Sequence, residues 1–284
     1  MGKPLTQTLE LKPFTKWTGG KRQLLPQLLE YVPKEFETYY EPFVGGGALL
    51  FEMQPQKAVI NDYNQALIET YEVIRDDVEK LITLLKQHQK QNCSEYYYHI
   101  RSFDRDGRIH DTNKTWRAAR ILYMLRVNFN GLYRVNSNNQ FNTPYGRYKN
   151  PKIVDEENLR NVSMYLKHDN VKIMNGDFQD SLRNVKEGDF IYLDPPYVPL
   201  SETANFTSYT ASGFNLSSQE RLRDVFKELD RRGAFVMLSN SNSSIVHDLY
   251  KEYSHTIKKV QATRMINSKA TERGKIEEVL ITNY

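Results

Sequence analysis

A single cysteine, Cys93, in a chain of 284 residues leaves no partner for an intrachain disulfide and no thiol cluster for a structural zinc site. The six histidines fall at no ligand-like spacing, so no metal is expected. No apolar run reaches the length of a membrane span, and Met1 to Lys12 lacks the apolar stretch of a secretory signal. These absences predict a cytoplasmic protein with no membrane partner. Acid is missing from one long stretch. Residues 112–154 hold Lys114, Arg117, Arg120, Arg126, Arg134, Arg147, Lys149 and Lys152 without one Asp or Glu, a local +8 in a chain of net +4. Such a block either faces solvent or meets a polyanion.

The remainder alternates strands with helices. Thr38–Phe43, Lys57–Asn61, Val171–Met174, Asp189–Leu193 and Phe235–Ser239 predict strands. Helical spacing runs through Leu24–Leu29, through a long stretch marked by Leu67, Ile74, Leu81 and Leu85, and around Leu222–Leu229. That order predicts an α/β fold with a doubly wound, mainly parallel sheet and helices on both faces. Residues 65–165 break the rhythm. They read as an inserted module, mostly helical, with a β-hairpin signalled by Asn130-Gly131 and by Asn136-Ser137-Asn138-Asn139. The expected domains are therefore 1–64 with 166–284, and 65–165.

Asp194-Pro195-Pro196-Tyr197 follows the apolar run Phe190–Leu193, at the strand end where doubly wound sheets place ligands. An aromatic amine is a poor nucleophile because its lone pair is delocalised into the ring. Two acceptors gripping its two N–H bonds favour the pyramidal form and aim the lone pair at an electrophile. The Asp194 carboxylate is one acceptor, and a backbone carbonyl, expected at Pro195, is the other; the prolines fix φ and remove competing donors. Tyr197 would stack on an extruded base. In Glu41-Pro42-Phe43-Val44-Gly45-Gly46-Gly47 the glycines would let a ligand approach the backbone, and Glu41 suits a cationic sulfonium better than a pyrophosphate. Asp62, after the next strand, would accept from ribose hydroxyls. Lys16-Trp17-Thr18-Gly19-Gly20-Lys21 departs from a phosphate loop at Thr15 and Arg22; Lys21, at a helix start, would instead hold a carboxylate of the donor. Asp177 and Phe178 would bond and pack on its adenine. In the basic stretch, Arg134 would donate two bonds to a guanine, and Phe129 or Tyr133 would wedge beside a displaced base.

Each motif also has a plain reading: a strand-to-turn junction, a helix cap, a solvated basic face. Cys93 lies between Asn92 and Ser94 rather than after a proline, which argues against a cytosine-C5 nucleophile, and a zinc deaminase lacks its cysteines. Methylation of an RNA adenine or of a protein glutamine amide, and a non-catalytic DNA-binding module, are the alternatives. Protein-amide methylators usually carry Asn where Asp194 stands.

Six runs occur in a recognisable order: Lys16–Lys21, Glu41–Gly47, Asn128–Arg134, Phe141–Tyr148, Asp194–Tyr197 and Leu200–Thr207. Together they closely resemble the Dam-type DNA adenine-N6 methyltransferases, including members paired with restriction enzymes, over about residues 12–282. The resemblance implies a Rossmann-like methyltransferase fold, S-adenosylmethionine as donor and S-adenosylhomocysteine as product. It implies double-stranded DNA as partner, the inner adenine of GATC as target, and association with the nucleoid when DNA is bound. A functionally paired restriction endonuclease or a housekeeping role would follow. By this resemblance Trp17, Lys21, Glu41, Phe43, Gly45, Gly46, Gly47, Asp62, Asp177, Phe178 and Asp194 bind the cofactor. Asp194, Pro195, Pro196 and Tyr197 are catalytic. Lys16, Arg126, Asn128, Phe129, Asn130, Leu132, Tyr133, Arg134, Asn142, Pro144, Tyr145, Arg147 and Arg264 bind DNA. Within that set Lys16 contacts the first guanine, Arg134 reads another, Leu132 touches bases, Phe129 and Asn130 fill the gap left by the flipped base, and Arg264 holds the backbone.

Overall fold

The computed structural model describes residues 9–198, 214–263 and 275–284. In chain order its elements are α1 (Leu25–Leu29), β1 (Tyr39–Glu41), α2 (Ala48–Met53), β2 (Ala58–Asp62), α3 (Gln65–Asp76), α4 (Val78–Gln91) and α5 (Ser94–Arg101). There follow α6 (Lys114–Val127), α7 (Glu156–Leu166), β3 (Val171–Asn175), α8 (Phe178–Ser181), β4 (Phe190–Leu193), α9 (Leu216–Arg231), β5 (Phe235–Ser241), α10 (Ser244–Leu249), β6 (Lys258–Thr263) and β7 (Lys275–Thr282). The strands form one sheet in the order β3-β2-β1-β4-β5-β7-β6. Strands β2, β1, β4 and β5 run parallel, and β7 enters antiparallel between β5 and β6. This is the doubly wound, Rossmann-like arrangement expected, with an antiparallel edge added.

Two compact units divide the chain. One comprises Met1–Gly20, Gly45–Gln54 and Asn64–Ile173; the other Lys21–Val44, Pro55–Tyr63 and Met174–Tyr284. In the second unit, apolar strand residues such as Tyr40, Ile191, Leu193, Val236 and Leu238 pack with Leu222, Phe226 and Leu229 of α9. Asn215 caps α9 by accepting from the Ser218 amide. Strand β4 is buried at all of its positions, as a central parallel strand must be.

The first unit is helical. Its α6 buries nine of 14 residues, more than one face, so other elements surround it. The long helical stretch expected from Leu67 to Leu85 is two helices. Asp77, at φ −139° and ψ 36°, breaks it, and its carboxylate accepts from the Thr115 hydroxyl at 2.8 Å. The expected hairpin is represented by two isolated antiparallel bridges, Asn128↔Tyr145 and Val135↔Phe141. Between the latter, the Asn136 amide bonds the Gln140 carbonyl at 2.9 Å while Asn136 Oδ1 accepts from the amides of Asn138 and Gln140, so backbone and side chain close the loop together. Among the described residues, no helix is long and apolar enough to cross a membrane.

Candidate active site

Strand β4 delivers Asp194 at its carboxyl end, beside the ends of its parallel neighbours β1 and β5. Lys21 Nζ lies 2.8 Å from Asp194 Oδ1, with side-chain exposures of 7% and 17%. A pair this dry is held by its own electrostatics, because water contributes little screening. The same ammonium sits 4.8 Å from the centroid of the Tyr197 ring. The Tyr197 hydroxyl donates to Glu278 Oε2 at 2.7 Å. Burial raises the pKa of Asp194; Lys21 pulls it back down and Glu278 adds to the rise. Burial, then the neighbouring carboxylates, push the Tyr197 phenol well up, so it stays protonated and donates. Lys21 does not open a helix as expected; α1 begins at Leu25, behind a turn in which the Leu24 amide bonds the Lys21 carbonyl at 2.9 Å.

The Pro196 carbonyl is taken by Gln219 Nε2 at 2.8 Å. No hydrogen bond occupies the Pro195 carbonyl among the described residues. The loop therefore offers one carboxylate and one peptide oxygen in adjacent residues, a geometry for gripping an NH2 group.

Around it, the buried Glu41 accepts from the Tyr39 hydroxyl at 3.0 Å. Phe43 stacks on Phe178 at 5.3 Å and 30°. Phe178 is buried, and the Arg221 guanidinium lies 4.6 Å over its ring. Asp177 caps α8 by accepting from the Gln179 amide and pairs with Arg221 at 2.6 Å. Both residues thus have partners within their own unit. Asp62 ends β2, half-buried. Besides Glu278 and Gln219, two further residues escaped the sequence reading. Tyr63, 83% exposed, follows Asp62 directly; an aromatic behind a strand-end carboxylate was the available signal. Asn61 is buried and donates Nδ2 to the carbonyls of Pro42 and Gly176, both at 3.0 Å, tying the loops after β1 and β3 to strand β2. Nothing local in the sequence marks it.

The glycine loop owes its composition to protein packing as well. Gly47 has φ +68°, and a Cβ there would lie 2.7 Å from Tyr71 Oη and 2.9 Å from Phe51 Cε2. A Cβ on Gly45 would meet Trp17 Cδ1 at 3.1 Å, whereas at Gly46 the nearest atom is Trp17 Cβ at 3.5 Å, an ordinary contact.

Residues 17–266 match the family model described as D12 class N6 adenine-specific DNA methyltransferase. The chain belongs to this family. It is 57% identical to the Type II methyltransferase M1.LlaDCHI of Lactococcus lactis subsp. cremoris, covering 97% of this chain and 96% of that protein. To the Type II methyltransferase M.MjaIII of Methanocaldococcus jannaschii it is 45% identical, covering 97% and 100%. To the DNA adenine methylase of Escherichia coli strain K12 it is 31% identical, covering 95% and 94%. The protein is thus an enzyme of the S-adenosylmethionine-dependent DNA adenine-N6 methyltransferases.

In this methyltransferase much of the basic stretch is neutralised by acids from outside it. Lys114 pairs with Glu72 at 3.0 Å, Arg117 with Glu69 at 2.8 Å, Arg120 with Asp104 at 2.9 Å and Lys152 with Asp155 at 2.8 Å. Arg126 donates to the Phe14 carbonyl at 2.8 Å, and burial lowers its pKa. Arg147 and Lys149 are exposed and make no ion pair among the described residues. Arg134, also exposed, is braced by Asn142: Nε donates to Oδ1 at 2.7 Å and Nη2 to the carbonyl at 3.2 Å. Lys16 is exposed, its stem packed where a Cβ on Gly131 would lie 2.9 Å from Lys16 Cδ.

Phe129 is 51% exposed, next to Asn130 at φ 59°. Asn128 is wholly buried and donates to the Leu132 carbonyl at 2.8 Å, shaping that turn from within. Leu132 is half-buried, and Tyr133 packs 5.0 Å from Trp17 and 5.7 Å from Phe141. Pro144 is exposed, whereas the Tyr145 hydroxyl bonds Asn92 Oδ1 at 3.3 Å. Arg264 and Leu200–Thr207 lie outside the described residues.

Proposed function

We propose that this methyltransferase transfers the methyl group of S-adenosylmethionine to N6 of the inner adenine of GATC in double-stranded DNA, as the modification enzyme of a Type II restriction–modification system. The observation that carries the chemistry is the Asp194–Pro195 pair of acceptors at the end of β4, with the Pro196 carbonyl already committed to Gln219. The names of the relatives at 57% and 45% identity support the Type II role. The Asn128–Arg134 and Phe141–Tyr148 runs support GATC.

The residues present suit such a donor. Its carboxylate calls for a cation, and Lys21 is buried beside Asp194. Its positive centres call for acids, and Glu41 is buried at the end of β1. Asn61 Oδ1 is a buried acceptor with no hydrogen-bond partner among the described residues. We assign Lys21, Glu41, Phe43, Asp62, Tyr63, Asp177, Phe178 and Asp194 to the donor, with Trp17 and Gly45–Gly47 shaping the loop after β1. The donor supplies an electrophilic methyl on a sulfonium. Asp194 and the Pro195 carbonyl accept from the two N–H bonds of the adenine amine and aim its lone pair; Tyr197 packs on the extruded ring. A carboxylate has lone pairs enough to keep Lys21 at Oδ1 and still accept one N–H of the amine. No covalent intermediate on the protein is required, since positioning and electrostatics suffice.

On the DNA side, Lys16, Arg147 and Lys149 contact phosphate or the first guanine, Arg134 reads a guanine with Asn142 as its brace, and Phe129 and Asn130 fill the vacated gap. Leu132, Pro144 and the ring of Tyr133 border that surface. Arg126, Asn128 and the Tyr145 hydroxyl build the module rather than touch DNA. Incubation with labelled S-adenosylmethionine and duplexes that contain, lack or half-methylate GATC tests the proposal. Label should appear on adenine in the first and third only; transfer to the duplex lacking GATC would overturn the sequence assignment.

A further inference from the structure

The backbone around Tyr197 is gripped from two elements far away in sequence. Gln219, on α9 and wholly buried, donates Nε2 to the Pro196 carbonyl at 2.8 Å. Asn240, on β5 and equally buried, accepts through Oδ1 from the Val198 amide at 3.2 Å and from the Ser241 amide at 2.8 Å. Its Nδ2 donates to Gln219 Oε1 at 3.2 Å, which joins the two amides into one relay. A third grip comes from β7, where Glu278 Oε2 receives the Tyr197 hydroxyl at 2.7 Å.

Burying two primary amides is unfavourable unless their polar atoms are matched, and apolar side chains would fill the same interior at less risk. The sheet has no need of them, since β5 already pairs with β4 and β7 through its backbone. What the relay does is fix the peptides on either side of Tyr197. It engages the Pro196 oxygen and leaves that of Pro195 as the acceptor beside Asp194, while Glu278 fixes the tilt of the aromatic ring.

We propose that Gln219, Asn240 and Glu278 are positioning residues for methyl transfer: they clamp the Asp194–Val198 loop so that its two acceptors and the Tyr197 ring hold one geometry. The proposal rests on the methyltransferase reading of that loop. A clamp of this kind acts on the transition state, so its loss should lower kcat while leaving the affinity for DNA and donor nearly untouched.

The test uses the full chain, unmethylated bacterial DNA containing every short sequence context, and labelled S-adenosylmethionine, comparing Gln219→Met, Glu278→Leu and Glu278→Gln. For Gln219→Met and Glu278→Leu, kcat should fall about 10- to 100-fold, as slight misplacement does, with KM for DNA and calorimetric donor affinity within about twofold. Glu278→Gln keeps an acceptor for the Tyr197 hydroxyl and should retain kcat within about threefold at neutral pH. A lower Tm with unchanged kcat in both apolar variants would show the relay to be structural packing only. Equal damage from Gln and Leu at 278 would equally overturn the clamp. Should Gln219→Met fail to fold, the pair at 278 decides. If the unaltered chain transfers no label to any DNA, the methyltransferase reading itself has failed, a result distinct from either.

Discussion

Gly47→Ala should destabilise the protein for reasons unconnected with any ligand. The residue stands at φ +68°, and an added Cβ would meet Tyr71 Oη at 2.7 Å and Phe51 Cε2 at 2.9 Å. The left-handed backbone costs a non-glycine residue about 1–2 kcal/mol. Overfilling a packed site adds about 1–3 kcal/mol. Neither neighbour moves freely: the Tyr71 hydroxyl donates to the Gly45 carbonyl at 3.0 Å, and both rings are buried in a stack 6.2 Å between centroids. The sum, roughly 2–5 kcal/mol, corresponds to a fall in Tm of roughly 5–15 °C for a chain of this size. Tyr71→Phe removes the atom in closest conflict at the loss of one hydrogen bond worth about 1 kcal/mol. In the double variant the two penalties should therefore sum to less than the singles, by about 1 kcal/mol or more. Thermal unfolding by circular dichroism, with donor affinity by calorimetry, measures both effects. An Ala variant with the parental Tm but abolished donor binding would refute the packing argument and return the glycine to a ligand-clearance role.

Asp194→Asn should abolish measurable turnover while leaving donor affinity within about tenfold, because the amide oxygen accepts without charge and the side chain keeps its size. Asp194 must be ionised for its charge to draw on the amine N–H and stabilise the positive charge that develops on nitrogen, and burial together with Glu278 raises its pKa, so activity should fall as pH drops through that raised value. Glu278→Gln removes one raising influence, and the acid limb of the kcat/KM profile should move to lower pH; a shift upward would contradict the electrostatics. Lys149→Ala should reduce the salt slope of DNA binding by about one, whereas Lys114→Ala, which only unpairs Glu72, should leave it unchanged. Equal effects would erase the distinction between paired and unpaired cations. Arg134→Ala should relax discrimination at one guanine by about 1–3 kcal/mol, read from a panel of single-base variants of the site.

Parallel strands β1, β2 and β4 could be read from sequence because each is a short apolar run that stops at a chemically distinctive residue, Glu41, Asp62 or Asp194; β5 was legible from its apolar run alone. Strands β6 and β7 could not. Lys258, Lys259, Gln261 and Glu277 are exposed, and the one apolar run in the pair, Val279-Leu280-Ile281, is only three residues long and stops at no distinctive residue. The break at Asp77 hides inside an uninterrupted helical period, since the bond to Thr115 that favours leaving the helix comes from 38 positions away. Charge density told half the story of residues 112–154. A window along the chain sees that acids are missing but not that Glu69, Glu72, Asp104 and Asp155 reach in from outside it. At the site, Asp194 and Tyr197 announced themselves through two prolines. Lys21 and Glu278, the groups that set their electrostatics, lie 173 and 81 positions away from their partners; the glycine run marked Lys21 but not its pairing with Asp194, and Glu278 carries no local signature.

The placement of β7 bears on when the enzyme becomes competent. This strand is synthesised after β6 yet lies between β6 and β5, so β6 has nothing to pair with until residues 275–282 have left the ribosome. The same strand carries the carboxylate that receives the Tyr197 hydroxyl. A nascent chain that has already folded its helical unit would still lack one anchor of the Asp194–Val198 loop. On the proposed reading of that loop, chemistry waits until the sheet is closed.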